Sequence, residues 1–286
     1  MKRLIYSLVI LSILLFACTI STTGTPPVGT APLVVTATPI DTELPVVSLS
    51  PVDTTSPVVT IPSIATNVTC HELSLYLDPA LASGYTCETI PESPEGMEVY
   101  PQCTKLTLQG YVLSDKFFNP HISVFPVQRY NELLPDVIPG RISDLQALIG
   151  GGAPGDSMPL LPVFNAAQEF YVKYEVLPFV SGEGIRFLTE YAQFYDPINN
   201  HDMFYTYQGL TTDGKYWISL IFPVSHPSLP ENGNNPPGGQ SVEDFGNNFN
   251  SYIAGITSDL EAQPPQSFTP GLGVLKTLVS SITIQP

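Results

Sequence analysis

Basic residues are scarce in this chain of 286 residues: 10 Lys and Arg stand against 26 Asp and Glu, and two of the ten are Lys2 and Arg3 at the start. A surface this acidic repels phosphate backbones, which excludes nucleic acid as a partner. It also offers no basic patch for anionic lipid. The formal charge of −16 favours solubility and says nothing of the fold.

Catalytic motifs are missing as well. There is no Gly-x-Ser-x-Gly elbow. Gly150 to Ser157 copies the glycine frame of a phosphate-binding loop, but Asp156 stands where that loop needs Lys and would repel phosphate. A plain loop is the better reading. Histidine is rare, and His71, His121, His201 and His226 show no His-Glu-x-x-His spacing. The one arrangement with metal-ligand character is His201-Asp202 with His226, at the two ends of a hairpin. Isolated surface histidines near turns are the ordinary explanation, so no metal and no cofactor are expected. The glutamates Glu88, Glu92, Glu95 and Glu98 have no base near them in the sequence and lack EF-hand spacing, which reads as a solvated loop. Tyr191, Tyr205, Tyr207, Tyr216 and Trp217 could form a sugar-stacking platform, yet their strand alternation favours core packing.

What is present begins with a leader. Lys2 and Arg3 precede an uncharged stretch from Leu4 to Ala17, too short to span a bilayer comfortably. This reads as a signal peptide over residues 1–17. It ends Leu15-Phe16-Ala17-Cys18, which resembles the lipobox of bacterial lipoproteins. Phe16 is bulkier than that pattern usually carries. The resemblance implies acylation of Cys18 and removal of the preceding peptide. It places the chain in the cell envelope, held to the membrane on the extracytoplasmic side by its lipid.

Residues 18–66 then read as a linker. From Thr19 to Thr66 there is no Lys, Arg or aromatic residue. A unit of twelve repeats as VVTATPIDTELP from Val34, VVSLSPVDTTSP from Val46 and VVTIPSIATNVT from Val58. Such a unit has no large apolar group to bury, so it is no solenoid. Proline and β-branched neighbours favour polyproline-II-like extension, on the order of 100 Å in all at ~3.1 Å per residue. A disordered stalk without fixed tertiary structure is expected.

One globular domain should occupy residues 67–286. Residues 71–77 alternate like a strand. Lys105–Leu113 and Ile122–Phe125 read as a hairpin, and helical character follows near Tyr130 and from Ile142 to Gly150. A four-strand meander comes next. In it Phe170, Val172, Tyr174 and Val176 share one face, and Thr212-Asp213-Gly214 supplies a tight turn. Ser241 to Asp244 resembles a capping box, followed by a stripe of Val242, Phe245, Phe249, Tyr252, Ile256 and Leu260. Thr269-Pro270 reads as the N-cap and first position of a last helix, before a strand at 282–284. Strands grouped together with helices around them give α+β, a mainly antiparallel sheet with helices packed on it. In element order this is similar to the PsbP/Mog1-like α/β/α sandwich.

With Cys18 lipidated, three cysteines remain in an oxidising compartment. Cys70 with Cys87 is the favoured disulfide, on the expectation that 73–77 and 85–90 form a hairpin. Cys87 with Cys103 is the main rival, and three reduced thiols the bland alternative. Functionally, the absences favour a non-catalytic binding or structural module over an enzyme. The partners would be the membrane, through the lipid, and a protein or small ligand. An extracytoplasmic hydrolase or a small-ligand carrier are the alternatives. A deep pocket with converging His or carboxylates would favour the first, an aromatic groove with few charges the second, and the lack of both the binding or structural module.

Overall fold

The computed structural model describes residues 65–96 and 98–285. The leader, Cys18 and the repeats up to the middle of the third unit lie outside the described residues. The end of the third unit is part of the fold. Asn67 closes a pair of hydrogen bonds with the backbone of Leu77, at 2.7 and 2.9 Å, and Val68-Thr69 enter the first strand.

That strand, β1 (Val68–Cys70), turns at once into β2 (Leu73–Leu75). The strand expected over 71–77 is shorter, Leu73–Leu75 alone, and forms the second arm of a hairpin whose turn is His71-Glu72. His71 takes φ 52° at its tip, so the chain reverses where a continuous strand would have run on. The next strand, β3 (Gly84–Ile90), pairs with β4 (Cys103–Gln109), and β4 with β5 (His121–Pro126). Helices α1 (Val127–Leu133) and α2 (Ile138–Ile149) follow. Pro139 is the second residue of α2. It lies in the first turn, where its missing N–H costs nothing.

The meander is β6 (Ala167–Phe179), β7 (Gly182–Ala192), β8 (Phe204–Thr211) and β9 (Tyr216–Pro223). Together these seven strands form one antiparallel sheet ordered β3-β4-β5-β9-β8-β7-β6. Helix α3 (Val242–Ala262), helix α4 (Leu272–Ser281) and β10 (Thr283–Ile284) complete the chain. The last strand pairs with β2 in a second sheet of three, ordered β1-β2-β10. The fold is α+β, as the grouping of strands and helices implies.

Both faces of the large sheet are covered. Tyr130, Leu145 and Leu148 from α1 and α2 pack on Phe125, Ile185, Phe187 and Trp217. On the other face Leu260, Leu272, Leu275 and Leu278 from α3 and α4, with the small sheet, pack on Phe170, Leu188, Tyr205 and Phe222. Each fully buried side chain of this size contributes roughly 1.5–3 kcal/mol.

Three local expectations are corrected. In β6 the alternation breaks between Val172 and Glu175, where Lys173 takes φ 58° in a bulge. Phe170 and Val172 stay on the α3/α4 face while Tyr174 and Val176 pass to the other, because one extra residue inverts a period of two. In α3 Ser241 is the N-cap, its Oγ accepting from Asp244 N at 3.1 Å, but the Asp244 carboxylate accepts from that hydroxyl and not from the Ser241 backbone, and Val242 is exposed. Helix α4 begins at Leu272 and not at Pro270. Thr269 exchanges two backbone hydrogen bonds of 2.9 Å with Ser225, which hold it in an extended bridge.

Candidate functional site

At one end of the large sheet a cleft of about 470 Å³ opens. Two other cavities of the domain are smaller, near 150 and 180 Å³. The antiparallel order explains what meets there: the end of β7, the start of β8, and the segments that lead into β5 and β6.

The walls are aromatic. Phe118, before β5, stacks on Phe164, before β6, with centroids 5.4 Å apart and planes 14° from parallel. Phe164 meets Tyr191 of β7 edge to face at 5.1 Å. Phe204, at the start of β8, meets Phe118 at 4.9 Å from beneath. Such pairs contribute roughly 0.5–1.5 kcal/mol each beyond burial. Phe117 and Phe194 line the mouth and are largely exposed, at 65 % and 71 %. Gln193 Nε2 donates to Asn165 O at 2.7 Å and ties two rims together. Phe117 N donates to His201 O at 2.9 Å and ties a third.

The polar side of the cleft is acidic. Glu190, Asp196 and Asp202 line it, and Glu98 reaches it from the loop before β4. Glu190 faces the same side of β7 as Leu188 and is only 1 % exposed. Burial pushes its carboxyl up to about 9, and the carboxylates of Asp202, Glu169 and Asp196 push the same way. Burial also raises Asp196 and Glu169. Burial lifts the Tyr191 hydroxyl to about 12.

Asn199 organises this side. It is fully buried, its backbone N donates to Glu190 Oε2 at 3.1 Å and its Nδ2 to Glu190 Oε1 at 3.3 Å. The same Nδ2 reaches Asp202 Oδ2 at 2.9 Å, and Oδ1 accepts from the backbone of His201 and Asp202. Asn200 does equivalent work one residue on, bridging to the backbone of His226 and Leu229.

The sequence-derived candidates scatter around this site. His201 and Asp202 do meet, Nδ1 to Oδ1 at 2.6 Å. The ring of His226 is turned elsewhere, onto Ser228 Oγ at 2.7 Å and Ser267 Oγ at 3.1 Å. The three do not form a ligand set. Among the described residues, the one group whose ligand atoms lie within 4.8 Å of one another is Cys70, His71 and Cys87. Cys70 and Cys87 are joined in a disulfide, which leaves no thiolates for a metal. That bridge is the expected pairing, but not through the expected hairpin. Cys87 sits opposite Leu106 of β4, so the bond links the small sheet to the large one. Cys103 is buried with a free thiol.

Of the aromatic set, Tyr205, Tyr207 and Trp217 are core, and Trp217 Nε1 donates to buried Gln208 at 2.7 Å. Tyr191 alone of that set lines the cleft. Of the four glutamates read as a solvated loop, Glu88, Glu95 and Glu98 are exposed, although Glu88 stands in β3 and not in a loop, and Arg129 of α1 holds Glu92 with two bonds of 2.7 Å. Sequence reasoning missed Glu190, Phe118, Phe164 and Asn199. The signal for Glu190 was present: alternation on β7 puts a carboxyl on the buried face beside Leu188.

Among the described residues, no helix is long and apolar enough to cross a membrane. Comparison with known families, with curated proteins and with solved structures finds no match to this chain.

Proposed function

We propose that the chain is a lipid-anchored protein of the cell envelope whose globular domain is a non-catalytic binding module, receiving a small molecule in the aromatic-walled cleft. The observation that carries the reading is the cleft itself. Its volume of about 470 Å³ falls in the range of small-molecule sites, and its apolar walls meet a few fixed polar groups. The leader and Cys18 support the location. Native mass spectrometry tests the binding role. The full-length chain, incubated with the small-molecule fraction of an envelope extract, should retain a bound species. Ala166→Trp, which fills the cleft, should lose it. Equal retention by both proteins, or none by either, would overturn the reading. The location is tested by fatty-acid labelling, which Cys18→Ala should abolish.

A hydrolase is the second reading. Its support is Glu190, a carboxyl that burial keeps protonated at neutral pH, with the second carboxyl of Asp202 near it, a pairing of the kind that acid–base hydrolysis uses. Against it, both Glu190 oxygens already accept from Asn199. Turnover of any glycoside or ester that Glu190→Gln removes would establish it.

A further inference from the structure

We infer that the cleft selects an organic cation, an ammonium group carried on an apolar body. This rests on the cleft being the binding site and names the chemistry of its ligand.

Charge balance is the first argument. Four carboxyl groups, from Glu98, Glu190, Asp196 and Asp202, line the cleft, and no Lys, Arg or His does. Among the described residues no Lys or Arg forms an ion pair with any of the four, and Asp202 pairs with His201 alone. Arg141 on α2 is felt only at the Tyr191 hydroxyl. Glu190 is buried and, without a cation, stays protonated, while half-buried Asp196 and Asp202 and exposed Glu98 leave negative charge at the cleft. An ammonium from outside supplies the missing charge. An anionic ligand would worsen the imbalance, and a neutral sugar would leave it as it is.

The walls give the second argument. Phe118, Phe164 and Tyr191 pack on one another at 5.1 to 5.4 Å and, with exposed Phe117 and Phe194, line the cleft with aromatic rings, whose faces attract cations. A metal ion fits poorly. It needs converging oxygens at about 2.0–2.6 Å, and no three of the carboxylates here gather their oxygens within 4.8 Å of one another.

A consequence follows for protons. The groups that bear on Glu190 are Glu169 on β6, Asp196 and Asp202 on the segment after β7 with Asn199 between them, and Tyr252 on α3. His201 sits against Asp202. Lys173 of β6 and Arg186 of β7 are not among the groups that bear on Glu190. Glu190 is therefore protonated at neutral pH in the empty cleft. A bound cation favours its ionised form, so binding releases a proton and tightens as the pH rises.

The test uses the full-length chain in a non-ionic detergent and two probes of one shape. Choline carries a quaternary nitrogen, and 3,3-dimethylbutan-1-ol has carbon in its place. Choline should bind at least roughly tenfold tighter. Its binding should release protons, read by calorimetry in two buffers of different ionisation enthalpy, and Glu190→Gln should remove most of that release. Equal binding of the two probes, preference for glucose, or displacement of choline by an equal concentration of calcium would each overturn the inference. If choline fails while neutral benzyl alcohol binds and Ala166→Trp blocks it, the cation inference falls and the cleft reading stands. If no probe binds, both fall.

Discussion

Asn199 grips Glu190 twice, through its backbone N at 3.1 Å and its side-chain Nδ2 at 3.3 Å. Both bonds favour the ionised carboxyl, yet burial outweighs them and leaves it protonated at neutral pH.

The outcome has a pH signature in stability. The unfolded chain loses the Glu190 proton near the ordinary carboxyl value of about 4.3. The folded chain keeps it up to about 9. Between those values the folded state binds more protons, so stability falls as pH rises, by at most about 1.4 kcal/mol per pH unit. Below about 4.3 the effect vanishes, because both states are protonated. Glu190→Gln should flatten the slope and gain on the native chain most at alkaline pH. Urea denaturation midpoints from pH 5 to 8.5 give the comparison. A native slope no steeper than that of the variant would contradict the burial argument. Part of the slope should survive in the variant, since Glu169 and Asp196 are raised in the same sense.

Lys173 joins the β6 bulge to the C-terminus of α3. Its backbone N donates to Glu261 Oε2 at 2.6 Å, and its ammonium donates to the carbonyls of Glu261 and of Gln263, the latter at 2.6 Å. A cation on the last carbonyls of a helix satisfies groups that have no intrahelical donor and opposes the dipole. Lys173→Met keeps the stem and removes the charge. It should cost about 1 kcal/mol in chemical denaturation and increase amide exchange in the last turn of α3. Unchanged exchange there would show that the contact does not hold the helix end.

The Tyr207 ring lies over a glycine pair. A Cβ at Gly209 would sit 2.7 Å from the ring and one at Gly184 2.8 Å from it, and the two glycines face each other across β7 and β8. Gly209→Ala should cost roughly 1–3 kcal/mol by overpacking. In a Tyr207→Ala background the same change should cost much less, a non-additivity that a thermodynamic cycle measures. Gly214→Ala is the control. It meets open space and pays only for its φ of +69°, about 1 kcal/mol. Additive costs at Gly209 and Tyr207 would refute the clash.

The sheet was legible in the sequence where apolar, β-branched and aromatic runs marked strands, as in β8 and β9, and where Asp213-Gly214 marked the turn between them. It was misread where one residue in an unusual backbone state resets the period. His71 and Lys173 are non-glycine residues at positive φ, which composition does not announce. The cleft was largely illegible. Its walls come from residues 117–118, 164–166 and 190–202, and each segment is ordinary alone. Only β-strand order brings them to one end of the sheet.

The cysteines separate by environment. Cys70–Cys87 crosses from the small sheet to the large one and closes 17 residues of chain. In the chain-entropy account, closing a loop of that length stabilises by roughly 3 kcal/mol. Cys87→Ala should lower the denaturation midpoint accordingly, and should free the β1–β2 hairpin from β3, seen as faster amide exchange at Leu73 and Leu75. Cys103 lies at the start of β4, 6 % exposed, and burial pushes its thiol up to about 11. At neutral pH almost none of it is thiolate, the form that attacks a thiol reagent. An alkylating agent should therefore leave Cys103 unmodified while the chain is folded and modify it stoichiometrically in denaturant. Peptide mapping without reduction should recover Cys70 and Cys87 in one linked pair and Cys103 in an alkylated peptide. Rapid labelling of Cys103 in the folded chain, or a Cys87–Cys103 link in the map, would overturn this assignment.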